Sequence, residues 1–160
     1  MRIRIIREGK PRDAHLAALQ SDYVARIEHF VKIRIEENDG IAKTTVSSRT
    51  RSARGGGLPP GAQRLLKSLA ESYKILLDPR GREWTSEEFA KWLGTRALAG
   101  TRELAFLVGG DRGVPAAIRD RVDLMLGLSR MTLTHDWACT LLLEQIYRGF
   151  TVLRGYPYAR

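Results

Sequence analysis

Residues 103–110 read Glu103-Leu104-Ala105-Phe106-Leu107-Val108-Gly109-Gly110, a short apolar run that stops at two glycines. An uninterrupted run of this length has the pattern of a strand buried on both faces, as in a parallel sheet covered by helices. Immediately upstream, Thr85 with Glu88 three residues on makes a capping box for a helix running to about Ala97. Before that, Lys74 to Leu77 is a second apolar run, bounded by Asp78-Pro79-Arg80-Gly81, and reads as a strand ending in a turn. Downstream, Pro115 suits the first turn of a helix, and Leu124 to Leu128 reads as another short strand. After a polar break over Ser129–Thr134, the longest apolar helix runs from His135 to about Leu153, ended by Gly155 and Pro157.

The N-terminal end repeats the alternation. Residues 2–7 place Ile3 and Ile5 on one face of a strand with arginines opposite. Pro11 and Asp13 open an amphipathic helix to about Phe30, with Leu16, Leu19, Tyr23 and Ile27 at helical spacing, and Val31 to Ile35 alternates again. Strands alternating with helices predict an α/β fold: a largely parallel sheet with helices on both faces, in one domain over 1–160. Apolar periodicity disappears from Glu36 to Gly61. The arginines, glycines and prolines there predict a flexible basic loop over 38–61, with a helix resuming from about Ala62 to Ala70.

Composition narrows the function classes. Twenty-seven Lys and Arg against eighteen Asp and Glu give a net charge of +9, which favours polyanionic partners without naming one. No apolar stretch approaches the ~20 residues of a membrane span, so a cytoplasmic protein with no membrane contact is expected. One cysteine excludes an intrachain disulfide, and one Cys with three scattered His gives no metal site.

Ligands of open parallel sheets bind at the carboxyl ends of the strands. Three such ends carry unusual residues: Leu77 to Gly81, Val108 to Gly113, and Leu128 to Thr132. Their glycines admit a ligand close to the backbone, or simply make tight turns; the spacing is not that of a dinucleotide-binding loop. His135 opens the last helix, where the helix dipole disfavours a charged imidazole, and Cys139 reads as a small packing residue. Glu144 and Arg148 stand four apart, as a structural ion pair or as an arginine presented to RNA. The tail Arg154-Gly155-Tyr156-Pro157-Tyr158-Ala159-Arg160 has the arginines and aromatics that hold phosphates and stack bases, or is a frayed basic terminus. Trp137, Ala138, Leu141, Leu142, Leu143, Ile146, Phe150 and Leu153 make the last helix apolar nearly all round. A homodimer through this helix is one use of that surface, and simple core packing is the other.

The runs Leu107-Val108-Gly109-Gly110, Leu128-Ser129-Arg130-Met131-Thr132-Leu133 through His135, and Leu143-Glu144-Gln145-Ile146-Tyr147-Arg148, with Arg154-Gly155 and Tyr158, together resemble one family. It is the ribosomal RNA large subunit methyltransferase H family of the SPOUT superfamily. The likeness is strongest from about Leu104 onward. It implies an α/β domain with a C-terminal trefoil knot, working as a homodimer on the assembled ribosome. The implied reaction is methylation of N3 of a pseudouridine in helix 69 of the large-subunit RNA, with S-adenosylmethionine as cofactor. Carried over by position, cofactor contacts fall on Leu77, Gly109, Leu128, Ser129, Arg130, Met131, Thr132 and Leu133. Tyr158, Arg160 and His135 become the catalytic candidates, and Arg148 and Arg154 the RNA contacts. The sequence departs from the family pattern at Thr134 (usually proline), Cys139 (usually arginine) and Ala159 (usually histidine).

Overall fold

A computed structural model describes residues 1–38, 60–110 and 114–158. The chain runs β1 (Arg2–Arg7), α1 (Ala14–Glu28), β2 (Lys32–Glu37), α2 (Pro60–Ser68), β3 (Tyr73–Glu83), α3 (Ser86–Leu98), β4 (Glu103–Val108), α4 (Ala116–Arg119), β5 (Leu124–Gly127) and α5 (His135–Leu153). The five strands form one sheet in the order β2-β1-β4-β3-β5, and every neighbouring pair is parallel. The quoted run is its central strand, and all six of its residues are buried.

Alternate side chains of β4 serve two cores. Leu104, Phe106 and Val108 pack with Ile27 of α1, Phe89 and Leu93 of α3, and Leu142, Leu143 and Ile146 of α5. Ala105 and Leu107 face the other way, onto Ala62 and Leu65 of α2, Leu69, Val114 and Ile118 of α4. That two-sided demand is why the strand carries no polar alternation. The helix starts behave as their sequences predict. Asp13 accepts the backbone N–H groups of His15 and Leu16 to start α1, and Thr85 with Glu88 closes both bonds of the capping box at α3.

The structure corrects the sequence reading in several places. The turn expected at Asp78–Gly81 is a detour inside a longer strand. β3 leaves β5 after Leu77 and rejoins it at Arg82, and both of these residues register against Leu126. Helix α2 begins at Pro60, two residues early, because proline's fixed φ suits a first helical turn. The arginines of β1 do not share one face: Arg2 and Arg4 lie opposite Ile3 and Ile5, whereas Arg7 lies on the same face as those isoleucines. Arg4 is buried between Glu36 (2.9 Å) and Glu103 (3.4 Å), and Arg7 donates to Gln20 Oε1 at 2.7 Å. Glu103 is itself buried and also takes hydrogen bonds from Arg2 and the Ser72 hydroxyl, so the buried charges are matched. Helix α5 carries apolar residues on its exposed side as well as its buried one. Its buried side includes Thr140 and Thr151, while Trp137, Val152 and Leu153 are exposed. The basic loop expected over 38–61 falls mainly on residues 39–59, outside the described residues.

Candidate cofactor pocket

At the carboxyl edge of the sheet, three segments far apart in sequence close around a cavity of about 490 Å³. Leu77, Asp78 and Pro79 come from the end of the first part of β3 and its detour, Val108, Gly109 and Gly110 from the end of β4, and Leu126, Leu128, Ser129, Met131, Thr132 and Leu133 from β5 and the loop after it. The entry to α5 completes the wall with Thr134, His135 and Ala138. A cavity of this size, mostly aliphatic with a few polar groups, matches what small-molecule sites require.

Glycine makes room for close neighbours at two points of the frame, against backbone at Gly81 and against the end of a side chain at Gly110. A Cβ on Gly81 would lie 2.7 Å from backbone atoms of both Met125 and Leu126, so the detour lies flat against β5. A Cβ on Gly110 would run into the Glu8 carboxylate, which instead accepts the Gly110 N–H at 3.0 Å. Asp78 is clasped by Arg80, whose backbone N–H and guanidinium both donate to it. That guanidinium holds the Asp78 carboxyl at about 2, so the pocket keeps an anionic residue at its rim at neutral pH.

Seven of the eight residues placed in the cofactor group by sequence line this cavity: Leu77, Gly109, Leu128, Ser129, Met131, Thr132 and Leu133. Arg130 does not; its side chain is exposed. Asp78, Gly110, Val114, Leu126, Thr134 and Ala138 belong to the wall and were outside that group. A helical spacing rule finds Ala138, one turn after His135, whereas Val114 and Leu126 reach the cavity only through tertiary packing.

His135 and Tyr158, the two catalytic candidates among the described residues, lie apart within one chain. His135 lines the pocket, buried, with Nε2 3.0 Å from Asp136 Oδ1. Tyr158 is held instead against the middle of α5. Its ring meets Tyr147 edge-on, and its hydroxyl lies 3.2 Å from that of Tyr23 and 3.4 Å from Glu144 Oε1. Burial, with Tyr23 and Glu144 adding to it, pushes the Tyr158 phenol well above its ordinary value. Arg148 pairs with Glu144 at 2.6 Å and lies over the Tyr158 ring, so the expected ion pair forms. Arg154 caps the end of α5 and is exposed. Arg160 lies outside the described residues. Cys139 is a packing residue: burial pushes its thiol up to about 11, far from a reactive thiolate.

Residues 1–159 match the model of a family described as "Predicted SPOUT methyltransferase". The chain belongs to the SPOUT methyltransferases. Among similar proteins is ribosomal RNA large subunit methyltransferase H of Deinococcus radiodurans, 34% identical over 160 residues, covering 100% of this chain and 99% of that protein. Its namesake from Trichlorobacter lovleyi is 37% identical, and that from an Anaeromyxobacter strain 36%, each covering 99% of both chains. These full-length likenesses place the chain in the large subunit methyltransferase H branch of the SPOUT family. The fold is shared more widely: the tRNA (m1G37) methyltransferase of Aquifex aeolicus superposes with a TM-score of 0.54 at 14% identity, over all of this chain and 77% of that one.

Proposed function

We propose that this chain is a methyltransferase of large-subunit ribosomal RNA that takes its methyl group from S-adenosylmethionine and places it on N3 of a pseudouridine in helix 69. The observation that carries the reading is the convergence of three strand-end segments on one pocket, in a chain whose whole length matches the methyltransferase H relatives. The pocket fits the cofactor's chemistry. Leu77, Val108, Leu126, Leu128 and Leu133 offer apolar surface to a nucleoside, and Gly109 and Gly110 bring backbone close to its polar edges. The Asp78 carboxylate at the rim is paired with Arg80 and offers its remaining lone pairs as hydrogen-bond acceptors. When bound, the cofactor supplies an electrophilic methyl group on a sulfonium.

The chain's own work is then to hold the acceptor nitrogen in line, exclude water and take up the N3 proton. Arg154 and Arg148 are the proposed RNA contacts, although Arg148 must serve Glu144 as well. Tyr158 and Arg160 are proposed to position the base. Tyr158 sits beside Tyr147, about twelve residues and roughly 18 Å of helix from His135, so it does not reach its own pocket. The reading therefore includes a homodimer in which one protomer's tail serves the other's pocket. The exposed Trp137, Val152 and Leu153 of α5 provide apolar surface for such contact.

The deciding experiment transfers labelled methyl to ribosomes with and without the helix 69 pseudouridines. Label should appear only on the pseudouridine-bearing ribosomes. Label independent of those pseudouridines, or on another RNA, overturns the substrate assignment, and a chain that binds no S-adenosylmethionine by calorimetry overturns the activity.

A further inference from the structure

Residues 8–13, the loop from β1 to α1, line no part of the pocket, yet they hold two of its walls. At one end Glu8 grips the end of β4 twice. Its backbone N–H donates to the Val108 carbonyl at 3.3 Å, and its carboxylate Oε2 accepts the Gly110 N–H at 3.0 Å. At the other end the backbone N–H groups of Arg12 and Asp13 donate to Asp136 Oδ2, at 2.9 and 3.4 Å. Asp136 is buried in the first turn of α5, next to His135 of the pocket wall. Gln20 of α1, itself 2% exposed, fastens that turn as well: Nε2 donates to the Asp136 carbonyl at 3.1 Å and to Thr140 Oγ1 at 3.0 Å. The α5 end is thus a fixed point from which the loop can hold the β4 end.

What the loop holds at β4 is the part of the wall least able to hold itself. Gly109 and Gly110 both line the pocket, and glycine has the widest choice of backbone conformations. A cofactor that fits only one of those conformations binds more weakly in proportion to the molecules outside it. A carboxylate accepting a backbone N–H is among the stronger hydrogen bonds available to fix such a turn. The fit is close, since a Cβ on Gly110 would meet that carboxylate. At the other end Asp13 also caps α1, accepting from His15 and Leu16, so the loop passes straight from Asp136 into a helix.

We propose that residues 8–13 are a strap that fixes the spacing of the β4 and α5 walls of the cofactor pocket, with Glu8 and Asp136 as its positioning residues. This rests on the methyltransferase reading above. Neither residue lines the cavity, so each acts through the backbone it holds. Glu8 keeps the glycine turn in the conformation that receives S-adenosylmethionine, and Asp136 anchors the strap to α5.

Two measurements on the full chain test the assignment. Hydrogen exchange without cofactor should find the Gly110 amide protected in wild type. Glu8→Ala should speed its exchange roughly 10-fold. Asp136→Ala, at a residue whose Oδ2 bonds the strap and not the glycine turn, should speed it roughly threefold, because Gln20 still holds α5. In calorimetry Glu8→Ala should weaken S-adenosylmethionine binding roughly 10-fold, the low end for a hydrogen bond to a charged group. Glu8→Gln keeps an acceptor oxygen and should stay within about threefold of wild type. Lys10→Ala, exposed in the middle of the strap, is the control and should match wild type in both measurements. An unprotected Gly110 amide in wild type overturns the proposal, and that result needs no variant to fold. Gly110 exchange unchanged in Asp136→Ala, or Glu8→Gln binding as weakly as Glu8→Ala, overturns it too. A wild-type chain that binds no S-adenosylmethionine overturns the functional reading. A wild-type chain that binds it, with Glu8→Ala binding equally well, overturns the strap alone.

Discussion

Replacing Gly81 by alanine adds one methyl group where β5 leaves no room. Its Cβ would lie 2.7 Å from the carbonyl carbons of Met125 and Leu126 and from the Leu126 nitrogen. Ordinary carbon contacts need about 3.5–4.0 Å, so the detour and β5 must part by roughly 1 Å. The obstructing atoms are backbone, which cannot swing aside as a side chain can. Overpacking in a core costs about 1–3 kcal/mol, and this geometry places Gly81→Ala at the upper end. For a domain of this size that is a fall in Tm of roughly 6–12 °C. Leu98→Ala, on a side chain 92% exposed, is the control and should stay within about 0.5 kcal/mol of wild type. Because Leu126 and Leu128 also wall the pocket, calorimetry should show weaker S-adenosylmethionine binding by Gly81→Ala even well below its melting temperature. A variant that melts with wild type and binds the cofactor equally well refutes the claim that the detour is seated on β5.

Two further outcomes follow from the buried charges and the tail. Glu103→Ala removes one of the two carboxylates that Arg4 meets and should destabilise by about 3 kcal/mol, the low end for a broken buried pair because Glu36 still holds Arg4 and Arg2 is largely exposed, as read from urea midpoints. Burial alone pushes the Glu103 carboxyl up, but the Ser72 and Arg2 hydrogen bonds outweigh it and leave it below its ordinary value. Its contribution is therefore complete above the unfolded-state value near ~4.3 and is lost as pH falls through the lower folded value, so Glu103→Ala should flatten the acid limb of the stability profile. Tyr158→Phe removes the hydroxyl that meets Tyr23 and Glu144, at a stability cost of about 0.5–1.5 kcal/mol. Turnover on ribosomes should fall while cofactor affinity holds, and unchanged turnover takes Tyr158 out of the reaction.

Much of this fold was legible because its signals are local. The apolar run at β4, the capping box at Thr85 and the start of α5 at His135 each depend on neighbours within one turn or one strand, and each stands where the sequence puts it. What escaped depends on partners distant in sequence. Nothing near Arg4 or Arg7 announces that Glu103 and Gln20 will be there to receive them, so alternation alone leaves those arginines without named partners. The Asp78–Gly81 detour was mistaken for a terminal turn because Pro and Gly mark both, and only β5 decides between them. The pocket was legible segment by segment, since strand ends with glycines stand out. Val114, Leu126 and the Gln20–Asp136 link entered only when the segments met in space.

The strand order has a bearing on how the chain is made. Strand β4, at the centre of the sheet, is fourth of the five to be synthesised, and it alone stands between β1 and β3. Until residue 108 has been added, the β1–β2 pair and β3 cannot join one sheet, and neither core has its middle wall. The pocket needs later residues still, through Ala138, and α5 must arrive to cover α1 and α3. Assembly of the sheet is thereby deferred until β4 has been made and is dominated by long-range pairings, which are intrinsically slow. A nascent chain cut short anywhere before α5 would expose apolar strand surface and leave the pocket without its α5 wall, so α5 completes core and site in one step.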